Sequence, residues 1–305
     1  MKGQSQTQHL SRFLSIFIAF LVAVLFSDAV LAQKSMPTFA RKTMELYDEF
    51  PEPQPGDWQY EQREPKQSYA QYLRTKPITL TKQRKYLYLQ TIGELTPGQE
   101  RIIEKTREYL AIFYGMPTRD LPPLEKSILP RGARRIAPGM LNQEQFNVMY
   151  LIEKVMLPRV PKDAAVYLVF TATDLWPGND WNFCFGYATY RMRVGVWSIA
   201  RNGNADDEEE FTTVLRRTLR LATHETGHMF SIPHCTFYRC NMNGSNSLDE
   251  ADTQPLEFCP QCLSKLSYAT KFKFKKRWTA LEKFYRENGL EEEADFVQEC
   301  LDAQE

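Results

Sequence analysis

His224-Glu225-Thr226-Gly227-His228-Met229-Phe230-Ser231-Ile232-Pro233-His234 is the stretch from which the rest of the chain can be read. The sequence holds four histidines; three lie in this window and the fourth is His9. Positions 224 and 228 are one helical turn apart, so on a helix both imidazoles leave the same face and can bind one ion. Glu225 stands beside the first, close enough to meet a water on that ion without being a ligand. His234 follows His228 by six residues. A continued helix would carry it to the wrong side and about 9 Å along the axis. The chain must therefore turn back, and Pro233 disfavours continuing the helix. Three histidines plus a water make an open tetrahedral zinc site, the catalytic kind. The pair His224 and His228 alone could arise by chance on an amphipathic helix; the third histidine and the residues after it carry the metal reading.

Downstream come Cys235, Cys240, Met242, Gly244-Ser245-Asn246 and Cys259-Pro260-Gln261-Cys262. Written through, HETGHMFSIPHCTFYRCNMNGSN followed by CPQC resembles the archaemetzincin family of metzincin zinc metallopeptidases. That family carries H-E-x-x-H-x-x-G-x-x-H-C, a further Cys, M-x-G-S-N and then C-x-x-C. The segment from Asp180 to Gly186 (DWNFCFG) and residues 194–201 resemble it too, and the likeness spans about residues 84–285. The resemblance implies that His224, His228 and His234 hold a catalytic zinc, with Glu225 as general base and acid. It implies Met242 as an apolar floor beneath the histidines. It also implies that Cys235, Cys240, Cys259 and Cys262 bind a second, structural zinc, giving two zinc ions per chain. Four thiolates with a C-x-x-C pair suit tetrahedral zinc; two disulfides are the competing reading for an exported protein. Cys235 adjoins His234, so a structural site there would help to fix that ligand. One position departs from the family pattern. Ser231 stands where the motif has Gly, at a turn that calls for positive φ, which a residue with a side chain adopts at about 1–2 kcal/mol.

Outward from the motif, strands alternate with helices. Residues 86–92 (YLYLQTI) read as a strand and 96–114 as a helix with Pro97 in its first turn. Asn142 should cap a helix reaching about residue 157, and 165–171 (AVYLVFT) is a buried strand. Strand-like runs follow at 183–190 and 194–200, then a helix at 207–230 opened by the carboxylate cluster 206–210. This pattern predicts an α/β domain with a mostly parallel sheet. The resemblance implies a metzincin-like single domain, its twisted sheet accompanied by an active-site helix and a backing helix and followed by a smaller zinc-containing, helix-rich C-terminal subdomain. The boundaries expected are 84–230 for the upper subdomain and 231–290 for the lower one, with an acidic helix at 291–305. Residues 33–83 are rich in Pro, Gln and charge and lack periodicity. They read as a linker or a pad across the domain surface, with a removable pro-segment as the alternative.

At the amino terminus, Lys2 and Arg12 precede an uncharged apolar run at 13–26 and small residues up to Ala32. This is the layout of a secretory signal, residues 1–32, with cleavage after Ala32; an uncleaved anchor is the alternative. The mature chain is then expected to be secreted or periplasmic, off the membrane and monomeric. The 38 basic and 38 acidic side chains cancel, which gives no electrostatic case for nucleic acid as a partner. A peptide or protein substrate is expected instead. The chemistry expected is hydrolysis, in which zinc would acidify a water and polarise the carbonyl while Glu225 would move the proton from water to the leaving amine. A zinc-stabilised peptide-binding module without turnover is the alternative; an intact Glu225 weighs against it. Cys184 and Cys300 are left as lone thiols or a disulfide pair, and 271–277 (KFKFKKR) as a solvated, half-buried segment.

Overall fold

A computed structural model describes residues 35–138, 143–178 and 181–305. The signal-like region, and with it the cleavage position, lies outside these residues, as do Asn142 and Asp180. Three short helices open the described chain: α1 (Thr38–Lys42), α2 (Trp58–Gln62) and α3 (Tyr69–Arg74). Helices of five or six residues are too short to print a period on the sequence, which is why this segment reads as aperiodic. It is a strap packed over the domain. Phe39 stacks on Phe274 at 5.1 Å, Phe50 N–H donates to Phe237 O, and Leu80 N–H donates to Ala269 O.

The α/β body starts with β1 (Tyr86–Ile92) and α4 (Pro97–Tyr114). Thr96 and Gln99 exchange side-chain and backbone hydrogen bonds at the start of α4, and Gly115 closes it with φ 62°. Short strands β2 (Thr118–Asp120) and β3 (Arg134–Ile136) break the Pro-rich connection. The helix expected from 142 is displaced. Glu144–Asn147 is a strand, β4, because Phe146 enters the core and Gln145 Nε2 donates to Asp174 Oδ2 at 2.8 Å on the neighbouring strand. That tertiary pairing overrides a local helical pattern. Asn147 then caps a helical turn, α5 (Val148–Tyr150), which widens into a π-helical stretch at Leu151–Met156.

The remaining strands are β5 (Ala164–Thr171), β6 (Asp174–Trp176), β7 (Gly186–Ala188) and β8 (Val194–Ser198). The main sheet runs β2-β1-β5-β8-β7, parallel throughout except for β7, which lies antiparallel to β8 at the edge. A second sheet, β3-β4-β6, stands beside it. Alternation splits the central strands between two cores. Leu87, Leu89, Val166, Leu168 and Phe170 pack with residues of α4 and of α6 (Phe211–Met229). Tyr88, Tyr167 and Val169 face Leu151, Ile152 and Val155 on the other side.

The carboxylate cluster 206–210 precedes α6 rather than opening it. Asp206 accepts from the Gly98 N–H at 2.7 Å, so its charge serves the first turn of α4. Helices α7 (Leu248–Asp252), α8 (Pro260–Thr270), α9 (Phe274–Glu287) and α10 (Glu291–Asp302) complete the chain. Among the described residues no helix is long and apolar enough to cross a membrane.

Candidate metal centre and its family

The second half of α6 is buried on nearly every side, from Thr218 to Met229, and it carries His224, Glu225 and His228. Gly227 lies between the two histidines for a packing reason. A Cβ there would stand 2.6 Å from Met242 Sδ and 3.1 Å from Phe258 Cζ. The missing side chain lets Met242, itself fully buried, press against the helix at the turn that carries both histidines. The helix ends at Met229. Ser231 takes φ 64°, and the chain doubles back so that His234 meets the other two.

Convergence is close. Ring centroids lie 4.7 Å apart for His224 and His228, 5.1 Å for His224 and His234, and 4.9 Å for His228 and His234. Each Nδ1 meets an oxygen. His224 Nδ1 is 2.8 Å from Asn241 O, and His228 Nδ1 is 2.8 Å from Ile232 O. His234 Nδ1 lies 2.7 and 3.0 Å from the two carboxylate oxygens of Glu64. Carbonyl and carboxylate oxygens only accept, so the proton of each neutral ring sits on Nδ1. The Nε2 lone pairs of His224 and His228 then face each other at 3.1 Å. Two lone pairs so placed repel unless a cation lies between them. Donors about 2.05 Å from zinc at tetrahedral angles stand about 3.3 Å apart, so this set fits the ion.

Burial pushes His228 down to about 3 and His224 well below the usual imidazole range, which keeps both rings neutral, as ligands must be. Glu225 is 8% exposed, and burial pushes it up to about 8, with Arg220 pulling the other way. It abuts the edge strand. A Cβ at Gly186 would sit 3.1 Å from Glu225 Cγ. The strand expected over 183–190 is regular only over β7, with Cys184 bridged to Leu175. Trp181, Tyr187, Tyr190 and Met192 are exposed around it, and the Tyr190 ring lies 5.0 Å from that of His228.

A second cluster lies next to the first. One ligand atom from each of Cys235, Cys240, Cys259 and Cys262 lies within 4.8 Å of the others, and all four residues are buried. The Cys235 and Cys259 sulfurs are 3.5 Å apart, far beyond a disulfide bond of about 2.05 Å. Sulfurs sharing one zinc stand about 3.8 Å apart, which this arrangement matches. Cys235 N–H donates to Met242 O at 2.7 Å, and Asn243 Nδ2 donates to Cys235 O at 2.7 Å. The cysteine loop is thereby tied to the residues under the histidines. Cys184 and Cys300 are free thiols as well.

A model of peptidase family M54 matches residues 164–268. Human archaemetzincin-2 is 32% identical over 267 residues, covering 74% of this chain and 71% of that protein. The chain belongs to the archaemetzincin family. Archaemetzincin from Thermococcus kodakarensis is 37% identical over 101 residues, 32% of this chain and 52% of that one. The crystal structure of archaemetzincin from Methanopyrus kandleri superposes with a TM-score of 0.50 at 27% identity, over 63% of this chain and 98% of that chain. The mixed α/β architecture with its mainly parallel sheet is therefore the archaemetzincin fold. Membership makes the chain a zinc metallopeptidase, a hydrolase acting on peptide or protein substrates. Zinc is implied by the family and by both clusters.

The histidines, the cysteines, Glu225 and Met242 that the motifs single out are all brought to this centre. Glu64 was not among them, and Gly186 was quoted only as the last residue of the family-like segment from Asp180, without a role. Glu64 sits in a Pro- and Gln-rich stretch where one carboxylate looks like any other. Gly186 had a signal, a glycine in a strand-like run, which often marks close approach by another group.

Proposed function

We propose that this archaemetzincin hydrolyses peptide bonds at the three-histidine centre, with Glu225 as general base and acid. The observation that carries the reading is the set of three Nδ1-to-oxygen contacts, which leaves the Nε2 atoms of His224, His228 and His234 for one ion. Zinc bound there supplies a Lewis acid that lowers the pKa of water and polarises the scissile carbonyl. Glu225 takes a proton from the attacking water and returns it to the departing amine nitrogen, so the elements of water add across the broken C–N bond. Burial strengthens its hold on a proton, which suits a group that takes one from water and passes it on. The free edge of β7 can pair with an extended peptide, and Trp181, Tyr187, Tyr190 and Met192 offer apolar surface to its side chains.

Cys235, Cys240, Cys259 and Cys262 hold a second, structural zinc, which fixes the loop that follows His234. The layout of residues 1–32 supports export with removal of that leader. The test is hydrolysis of a mixed peptide library by the wild-type chain, by chelated protein and by Glu225→Ala, with zinc counted in each. The expected result is turnover by the wild type, none after chelation, and a rate lowered at least about 10²-fold in the variant. Two zincs per chain are expected, one of them lost when all four cysteines are replaced. A wild-type chain that holds zinc and cleaves nothing would make it a binding module.

A further inference from the structure

Two of the three histidines are held by main-chain carbonyls close in sequence, and the third is not. His234 is held by the side chain of Glu64, 170 residues upstream. That carboxylate belongs to the strap, far outside the region that matches the family model. From this we infer that Glu64 is the positioning residue for His234, so that the strap is a working part of the metal centre. The inference rests on His234 being a zinc ligand, as proposed above.

The contact is built, not incidental. Glu64 is about a third exposed and offers both oxygens to Nδ1. Its Oε2 also accepts the Trp58 indole N–H at 3.0 Å, and its carbonyl accepts Gln59 Nε2 at 2.8 Å. Trp58 stands edge-on to the His234 ring at 5.2 Å. The indole lies directly over Gly244, where any Cβ would come within 2.2 to 2.6 Å of it. The Trp58 N–H donates to Glu250 Oε1 at 2.9 Å, and Asn246 Nδ2 donates to Gly56 O at 2.9 Å. The glycine of the M-x-G-S-N stretch thus provides the seat for Trp58, and Trp58 aims the carboxylate.

A carboxylate does two things here that a carbonyl does less well. It locks the proton on Nδ1, so that the free lone pair of His234 points from Nε2, and its charge makes the ring a stronger donor to a cation. Without it His234 divides between its two tautomers and rotates more freely. Removal of a carboxylate partner of this kind weakens metal binding by roughly 10- to 100-fold.

The experiment uses the full chain. Zinc is counted by native mass spectrometry as a chelator is raised, for the wild type, Glu64→Gln, Glu64→Ala and the exposed control Glu61→Ala. The expected result is that Glu64→Ala gives up one zinc at a chelator level about 10- to 100-fold below wild type. Glu64→Gln, which keeps an oxygen acceptor without the charge, should fall between, and Glu61→Ala should match wild type. Ring ¹⁵N shifts of His234 in the zinc-free protein should show one tautomer in wild type and a mixture in Glu64→Ala. A purely structural role for Glu64 would leave that tautomer unchanged. Wild-type retention of zinc and an unchanged tautomer in both Glu64 variants would overturn the assignment. A wild-type chain that binds zinc only at its cysteines would overturn both this assignment and the proposed function.

Discussion

Ser231 shows how one residue can be strained and held in the same place. Its φ of 64° is left-handed, where a side chain costs about 1–2 kcal/mol. Its hydroxyl gives something back. Oγ accepts the Ile78 N–H at 3.2 Å and donates to Tyr190 O at 3.3 Å, joining the strap and the edge-strand loop at the turn between two histidines. The family's glycine relieves the strain but supplies no tether. Ser231→Gly should therefore leave stability within about 1 kcal/mol of wild type, relief offsetting loss. Ser231→Ala keeps the strain and loses both bonds, so it should cost about 1 kcal/mol or more. Urea denaturation measures both, and an alanine variant as stable as wild type would rule out the tether.

Elements meet at the site because α4 and α6 share one face of the sheet, and that pairing depends on a glycine no motif flags. Gly98, in the first turn of α4, lies under the loop leading to α6. A Cβ there would sit 2.2 Å from Ala205 O and 2.5 Å from Ala205 C. These are backbone atoms, which cannot swing aside as a methionine tip can. Alanine is intrinsically the better helix former by about 1 kcal/mol, yet Gly98→Ala should destabilise by about 1–3 kcal/mol. A thermal midpoint at or above wild type would show that the loop yields. The ends of α4 were legible because they are written locally, in Thr96, Gln99 and Gly115. The misplaced helix at 142 was not. Its apolar residues fit a helix as well as a strand, and only Asp174 and β6 across the sheet decide between them.

Across the whole molecule, one buried ion pair joins the pieces. Arg277 and Glu257 are 3% and 2% exposed and meet at 3.0 Å. Arg277 also donates to Phe113 O at the end of α4, and Glu257 accepts from Tyr285 on α9. The Glu257 carbonyl accepts the N–H of Asn241, whose own carbonyl holds His224. Removing one partner strands a charge away from water. Glu257→Ala should therefore cost about 3–5 kcal/mol, while replacing both partners by apolar residues should cost much less. Denaturant titration of the single and double variants decides, and equal losses would refute the stranded-charge account.

The candidate site residues and their spacing were legible in the sequence itself. Histidines four apart on a helix share a face by geometry alone, a proline and a strained turn must bring the third one back, and four cysteines at metal-like spacing follow. Such local constraints can be read without the fold. Only the tertiary structure decided which oxygen each imidazole leans on, since two are carbonyls and one is a carboxylate 170 residues upstream. It also brought an aperiodic, proline-rich stretch against His234. The physical reason is that a contact across 170 residues leaves no periodicity or spacing in the sequence; it exists only once the packing of Trp58 over Gly244 has placed the two ends together.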